Sequence, residues 1–270
     1  PVSAQPLFPI PFVVQHQVVQ SGAEGEEFRS DPVTDSYGGS WLVSERANGS
    51  RMVIDFARRE MTEIDPAKGT YWTLSFSRMG ELRQRIERAE GGGTVALRAA
   101  LSSSRDRVTE IRIEDVSDAS SPARSALNAS SRAGVRHLRA ASGATSIDVW
   151  LDSRVKLTKE ARTALKSLES EALGRTGPAK GDATAGELLQ AARENGDGAF
   201  PVRTRRSVSP RDPASGGVLE DEVTRLEVIP AFPQKLVSPG PGFKRVPSPL
   251  EAMASFAEDE ASIRSTGSPR

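Results

Sequence analysis

The 270-residue chain contains no cysteine and only two histidines, His16 and His137. Without cysteine it cannot form disulfide bonds, use a thiol as a nucleophile or hold zinc through thiolates. Two histidines also exclude a three-histidine zinc site, and both are predicted to be ordinary strand residues. We therefore expect no metal site and no cofactor.

Neither an excess of one charge nor a long apolar segment is present. Lys plus Arg and Asp plus Glu number 36 each, which gives a formal net charge of zero and little general attraction to nucleic acid or an anionic membrane. The local group of Arg203, Arg205, Arg206 and Arg211 is interpreted as a solvated strand face and loop. No apolar run reaches about 18 residues, so we expect no membrane-spanning helix.

Motifs of the common enzyme classes are missing as well. The sequence has no G-x-S-x-G elbow, no Walker loop and no G-x-G-x-x-G. The glycines 91–93 follow a predicted helix rather than a strand, which indicates a linker. Four nearby acids alternate with apolar residues and are interpreted as a solvated sheet face, namely Asp55, Glu60, Glu63 and Asp65. The protein is therefore predicted not to be an enzyme.

The strongest positive signal is period-two alternation across residues 41–76. Trp72, Leu74 and Phe76 share one face of a run whose other face is polar, which is typical of a strand with one wet side. Asn48-Gly49 supplies a tight hairpin turn. The pattern predicts three or four consecutive antiparallel strands that are neighbours in one sheet. Further strands are predicted at residues 12–20, 108–116, 135–141, 146–151, 200–208 and 218–229.

Two amphipathic helices are predicted, over residues 78–90 and 158–173. Leu82 and Ile86 belong to the apolar stripe of the first, and Leu165 and Leu168 to that of the second. Residues 184–189 predict a further short helix, and residues 21–39 a glycine- and acid-rich connection. Residues 1–11 and 251–270 are predicted to be disordered, which leaves a single β-rich domain at 12–250.

Few helices accompany many one-sided strands in this pattern. The fold class is therefore predicted to be α+β, an antiparallel sheet with the helices packed on its concave face. Imperfect cover by these helices leaves an apolar cavity. Its lining is predicted from the inward positions of two strand runs, Trp72, Leu74, Phe76, Ile147, Val149 and Leu151.

Several short segments, taken in order, carry a resemblance to a known family. They are Tyr37-Gly38-Gly39 leading to Met52, Arg58-Arg59-Glu60-Met61-Thr62-Glu63-Ile64-Asp65 leading to Lys68-Gly69-Thr70-Tyr71, Ile147-Asp148-Val149-Trp150-Leu151-Asp152, Phe200-Pro201-Val202-Arg203-Thr204 and Pro239-Gly240-Pro241-Gly242-Phe243-Lys244-Arg245-Val246. In order and residue type they resemble the LolA/LolB-like superfamily of bacterial periplasmic lipoprotein carriers, especially its uncharacterised exported members.

The resemblance implies an open, unclosed half-barrel of about ten antiparallel strands, with helices plugging the concave side around a pocket for acyl chains. It implies a non-enzymatic, periplasmic or otherwise exported protein that binds an apolar or lipidated ligand. The alternative is a cell-envelope interaction or sensor module with the same fold, a protein partner and no lipid ligand. A hydrolase would need two carboxylates converging in a cleft, which the sequence does not suggest.

The start of the chain and several departures from the family bear on this resemblance. Val2-Ser3-Ala4 before Gln5 has the small residues of a signal-peptidase site, so Pro1 is expected inside or just after a removed export signal, the alternative being an arbitrary start. The chain departs from the family in lacking the lipid-anchoring cysteine of its receptor type. Its Ser/Ala-rich middle and proline-rich tail also depart from a minimal carrier.

Overall fold

A computed structural model describes residues 6–22, 25–89, 110–116, 135–143, 145–168, 185–208 and 217–266. Predictions made for residues 1–5, including the signal-peptidase site, and for residues 90–93, 108–109, 169–173, 184, 211 and 267–270 lie outside these ranges. The described strands are β1 (Phe8–Ser21), β2 (Glu27–Arg29), β3 (Val33–Gly39), β4 (Trp41–Arg46), β5 (Arg51–Asp55), β6 (Glu60–Asp65), β7 (Thr70–Ser75), β8 (Arg112–Asp115), β9 (Val135–Ser142), β10 (Thr145–Lys156), β11 (Ala199–Val208), β12 (Gly217–Val228) and β13 (Lys244–Arg245).

These strands form one open, largely antiparallel sheet of 13 strands. Its order is β13-β7-β6-β5-β4-β3-β1-β12-β11-β10-β9-β8, with β2 paired to the end of β1. Among the described strands, β13 and β7 form the one parallel pair. The first strand of the chain therefore lies in the middle of the sheet, between β3 and β12.

The described α-helices are α1 (Phe76–Ala89), α2 (Lys159–Ser167), α3 (Ala185–Asn195) and α4 (Pro249–Thr266), and a 3₁₀ turn covers Gln234–Leu236. Thr158 caps α2, since its hydroxyl accepts a hydrogen bond from the Ala161 amide at 3.0 Å. Ser248 and Glu251 form a capping box at α4, in which each side chain accepts from the other's amide. Within the described helices, none is long and apolar enough to span a membrane.

Three hydrophobic clusters hold the elements together. The first joins β1, β3–β7 and β10–β12 to α1, α2 and α4. The second joins β9 and β10 to α3, and the third packs β4–β6 against the segment around Phe232. Leu42 belongs to the first cluster and its neighbour Val43 to the third, so the two lie on opposite sides of β4.

The structure confirms that residues 41–75 form consecutive neighbouring antiparallel strands. Phe76, predicted to end the last of them, is instead the first residue of α1. It also places Leu82 and Leu168 in the first cluster, with Ile86 and Leu165 packed against it. Three segments differ from their predictions: β3 lies in the expected connection 21–39, β1 begins within 1–11, and α4 covers most of 251–270. Phe8, within the segment predicted to be disordered, is buried and anchors the start of β1.

Candidate ligand site on the sheet

One row of apolar side chains runs across six neighbouring strands on one side of the sheet. Directly paired residues of antiparallel strands project to the same side, so the register alone defines the row. Its members are all buried and all belong to the first cluster. We call this the floor row: Phe12, Tyr37, Leu42, Ile54, Met61 and Leu74. At the usual strand spacing it is about 24 Å long.

A second row lies two residues further along each of the same strands, and therefore on the same side of the sheet. We call this the rim row: Val14, Asp35, Ser44, Met52, Glu63 and Trp72. Every member except Val14 is partly exposed. This side of the sheet thus changes, over one step of two residues, from wholly apolar and buried to a mixture of apolar and polar side chains that are mostly partly exposed.

Helices α1 and α4 contribute side chains to the same cluster as the floor row, and α1 begins at the end away from the rim row. β7 continues directly into α1, which begins two residues beyond Leu74. Phe76, Met79 and Leu82 of α1 are buried in the same cluster as the floor row. Ala254 of α4 joins them, and α1 and α4 pack against each other.

Aromatic rings fill the β1–β3 end of the floor row. The Tyr37 ring stacks on Phe12 at 4.5 Å with an interplanar angle of 8°. Phe8 and Phe200 meet Tyr37 edge-on at 5.2 and 5.8 Å. Because Phe200 comes from β11, this aromatic group links the two halves of the sheet across β1.

A polar cluster adjoins these rings. His16 Nδ1 lies 3.0 Å from Asp221 Oδ1, and His16 Nε2 lies 3.4 Å from Asp35 Oδ2. Asp35 also accepts hydrogen bonds from the hydroxyls of Ser44 at 2.5 Å and Tyr37 at 3.4 Å. We call these five residues the His16 cluster. It joins β1, β3, β4 and β12 where the register between β1 and β12 shifts at Gln15/His16.

The carboxylates keep the imidazole charged. Burial of the ring disfavours the cation, but the hydrogen bonds and charges of Asp221 and Asp35 outweigh it and raise the pKa of His16 to about 10. Burial, followed by the charge of Asp35, raises the pKa of Tyr37 well above its usual value. At neutral pH His16 therefore donates from both nitrogens and is not available as a general base.

The geometry does not suit a metal ion. The two carboxylates lie at opposite nitrogens of the His16 ring, so they do not converge on one cation. Across the described ranges, no group of three or more His, Asp or Glu side chains is placed to hold a metal.

The end of the rim row on β6 and β7, away from the His16 cluster, carries a second set of polar contacts. The indole Nε1 of Trp72 donates to Glu63 Oε2 at 3.0 Å, and Arg46 Nη1 lies 3.4 Å from Glu63 Oε1. The indole ring packs against the first cluster while its polar edge is satisfied at the rim. Trp72 thus marks the boundary between the apolar and polar parts of this side of the sheet.

The residues predicted to line one cavity fall into two groups. Leu74 and Phe76 are buried in the first cluster, and Trp72 packs against it. The residues from β10 belong instead to the second cluster, with Leu188 and Ala192 of α3: Ile147, Val149 and Leu151. Two other residues of β10 reach the first cluster: Trp150, on the opposite side of that strand from Val149 and Leu151, and Val155 near its end.

Trp150 also takes part in a charged stack across four strands. His137 lies parallel to the indole at 4.1 Å, and the Arg203 guanidinium sits 4.8 Å from the indole centroid. Asp148 lies 3.1 Å from His137, and Glu220 lies 2.6 Å from Arg203. The stack ties β9, β10, β11 and β12 together through cation–π and ionic contacts.

Sequence reasoning missed the members of the His16 cluster. His16 shares the apolar side of β1 with Phe12 and Val14, and a polar residue on such a side was the available signal. Asp35 lay in a segment interpreted as a connection. Asp221 is 205 positions from His16, so no local pattern joins the two.

No protein-family model and no curated protein sequence matches the chain. Among solved structures, an uncharacterized conserved protein from Thermus thermophilus matches at 8% identity and a TM-score of 0.38, over 88% of this chain and 90% of that one. A structure of PNGF-II matches at 12% identity and 0.36, over 92% of this chain and 33% of that one. The LolA superfamily protein NE2245 from Nitrosomonas europaea matches at 9% identity and 0.30, over 86% and 91%. These similarities are too low to carry an argument about function.

Proposed function

We propose that the protein is a non-enzymatic exported protein that binds an apolar or lipidated ligand between the concave side of its sheet and the helices. The observation that carries the proposal is the change from floor row to rim row. A ligand with an apolar part and a polar end matches a surface that becomes polar in one direction. The periplasmic location rests on the family resemblance in the sequence.

Partly buried apolar side chains around the first cluster support this reading. They include Met52 and Trp72 on the rim row, Ile86 and Leu165 on the helices, and Leu226 on β12. Such side chains retain apolar surface that a ligand removes from water, at about 25 cal/mol per Å². The expected entry lies at the rim row, because α1 occupies the opposite end.

Probe binding and lipid extraction test the proposal. Purified protein is analysed by native mass spectrometry and lipid extraction, and then titrated with a fluorescent medium-chain probe. Met52→Trp adds bulk at the entry, and we expect it to weaken probe binding by about tenfold or more. Thr73→Trp is the matched control, since Thr73 projects from the other side of β7 and should leave binding intact. Folded wild-type protein that yields no lipid and binds no probe would refute the proposal.

One observation favours the alternative, an envelope interaction or sensor module. Met253 and Phe256 on α4 are 57% and 65% exposed, while Ala254 on the inner side is buried. Two large apolar residues three positions apart form one outward patch on this helix. A photo-crosslinker at Phe256 should then give one discrete protein adduct in cells, and Met253→Ser should abolish it.

A further inference from the structure

β8 is the strand at one end of the sheet, and in the described part of the chain it pairs on one side only. The two ends of the sheet differ. At the other end β13 has two residues and lies between Pro241 and Pro247, features that discourage further pairing. Residues 110–116, which include β8, contain no proline, glycine or lysine. An edge strand without such protection is a template for another strand.

The backbone of β8 determines which of its residues can pair outward. The Val116 amide donates to the His137 carbonyl at 2.9 Å, so Val116 bonds toward β9. In an antiparallel pair the bonding direction alternates along each strand, so Arg112 and Glu114 also bond toward β9. Ile113, between these two, therefore directs its N–H and C=O toward the open edge.

The side chains at this edge form an apolar set and a charged set. Ile111 and Ile113 are half-buried and pack against the second cluster, on the same side of the sheet as Ala140. Arg112 and Glu114 are exposed and project from the other side. The second cluster thus ends at a partly covered apolar border, which a further strand would extend.

A second copy of β8 fits this edge in a symmetric register. When two β8 strands pair antiparallel about a two-fold axis at Ile113, each Ile113 exchanges both backbone hydrogen bonds with its counterpart. Arg112 of each copy then lies opposite Glu114 of the other, whereas an axis at either of these residues would oppose like charges. The other acid of β8, Asp115, is held within its own chain by Arg136 at 2.7 Å.

We propose that the protein forms a homodimer by antiparallel pairing of β8 with β8 of a second copy, which joins the two sheets into one. The proposal does not depend on ligand binding. Because few residues take part on each side, the contact belongs with small, transient interfaces, and we expect a Kd between about 1 μM and 1 mM. Dilute protein is then monomeric, with fast exchange of the β8 amides, and concentrated protein is dimeric.

Sedimentation velocity of the full chain over a series of concentrations tests the dimer. Wild-type protein should shift from monomer to dimer, and the Ile113 amide should become protected from hydrogen exchange over the same range. Arg112→Glu and Glu114→Arg should each raise the Kd by about tenfold or more, because each variant alone opposes like charges twice. An equimolar mixture of the two variants should form a heterodimer, since every opposed pair is again of opposite charge.

A charge reversal at the other end of the sheet provides the control. Lys244→Glu changes a cation to an acid on β13 and should leave the dimer intact. Wild-type protein that stays monomeric at about 1 mM overturns the proposal and leaves this edge to a strand of a different protein. A dimer that both β8 variants leave unchanged, or a mixture of the two that stays monomeric, also overturns it. A folding defect in either variant cannot imitate the expected recovery on mixing.

Discussion

His16 connects residues that are far apart in the sequence, and its charge is what makes the connection. Asp35 and Asp221 approach it from the strands on either side of β1. A histidine held between two carboxylates stabilises the folded chain only while it is protonated. The contribution therefore depends on pH in a direction that the raised pKa fixes.

We predict that His16 makes stability fall at alkaline pH. The pKa of about 10 lies above the ordinary value of 6.5, so the stabilisation is complete below pH 6.5 and is lost as pH rises toward 10. The difference in unfolding free energy between wild type and His16→Asn should shrink across this window. NMR titration of the His16 ring protons provides the direct check, and a midpoint near 6.5 would contradict the assignment.

Gly38 gives a second prediction at the residue scale. A Cβ atom there would lie 2.6 Å from the Phe232 side chain, which packs on Trp41 in the third cluster. Gly38→Ala should therefore cost about 1–3 kcal/mol of stability, as overpacking does. Gly80→Ala is the control: nothing lies near its Cβ position in α1, and alanine should stabilise the helix by about 1 kcal/mol. Denaturant unfolding of both variants measures the contrast.

At the scale of elements, α1 and α2 contribute to the first cluster leucines that are buried to different extents. Leu82 of α1 is 1% exposed, whereas Leu165 of α2 is only partly buried. Leu82→Ala should cost about 2–5 kcal/mol, and Leu165→Ala less, because a partly exposed site leaves a smaller cavity. Equal losses in chemical denaturation would show that α2 is buried as deeply as α1.

The elements that sequence reasoning found are those with a strong periodic pattern. Strands β4–β7 alternate clearly, and their short turns leave no room for crossovers, so both existence and pairing were predictable. β3 was missed because it contains Asp35, Ser36, Gly38 and Gly39, which are poor strand residues. Its backbone is held by β1 and β4, and that support is tertiary.

Helix α4 was not predicted from the sequence, for a related reason. Its buried side includes the small residue Ala254, while the large residues Met253 and Phe256 face outward. With Leu250 and the small Ala254 on the packed side and large apolar residues on the outer side, the helix shows no clear amphipathic pattern, although it packs against α1. The candidate site was predictable only for its β7 side, through Trp72, Leu74 and Phe76. Its polar half depends on pairings between distant strands.

At the scale of the whole molecule, the sheet has a protected middle and two exposed ends. β1 is paired on both sides, whereas β8 and β13 are short strands at the edges. Hydrogen exchange should therefore be slowest for amides of β1 and β12 and fastest for those of β8 and β13. Uniform protection across the sheet would indicate that it opens as a single unit.

The position of β1 in the middle of the sheet also determines when its two edges can pair as the chain is synthesised. Its partner β12 begins at Gly217, so a ribosome must make more than 200 residues before the first strand finds its second neighbour. Until then the growing chain carries an unpaired edge that can join to other chains, and long-range pairing of this kind is slow. Pairing on both sides of β1 therefore has to wait for β12, and the middle of the sheet is completed late in synthesis of this region.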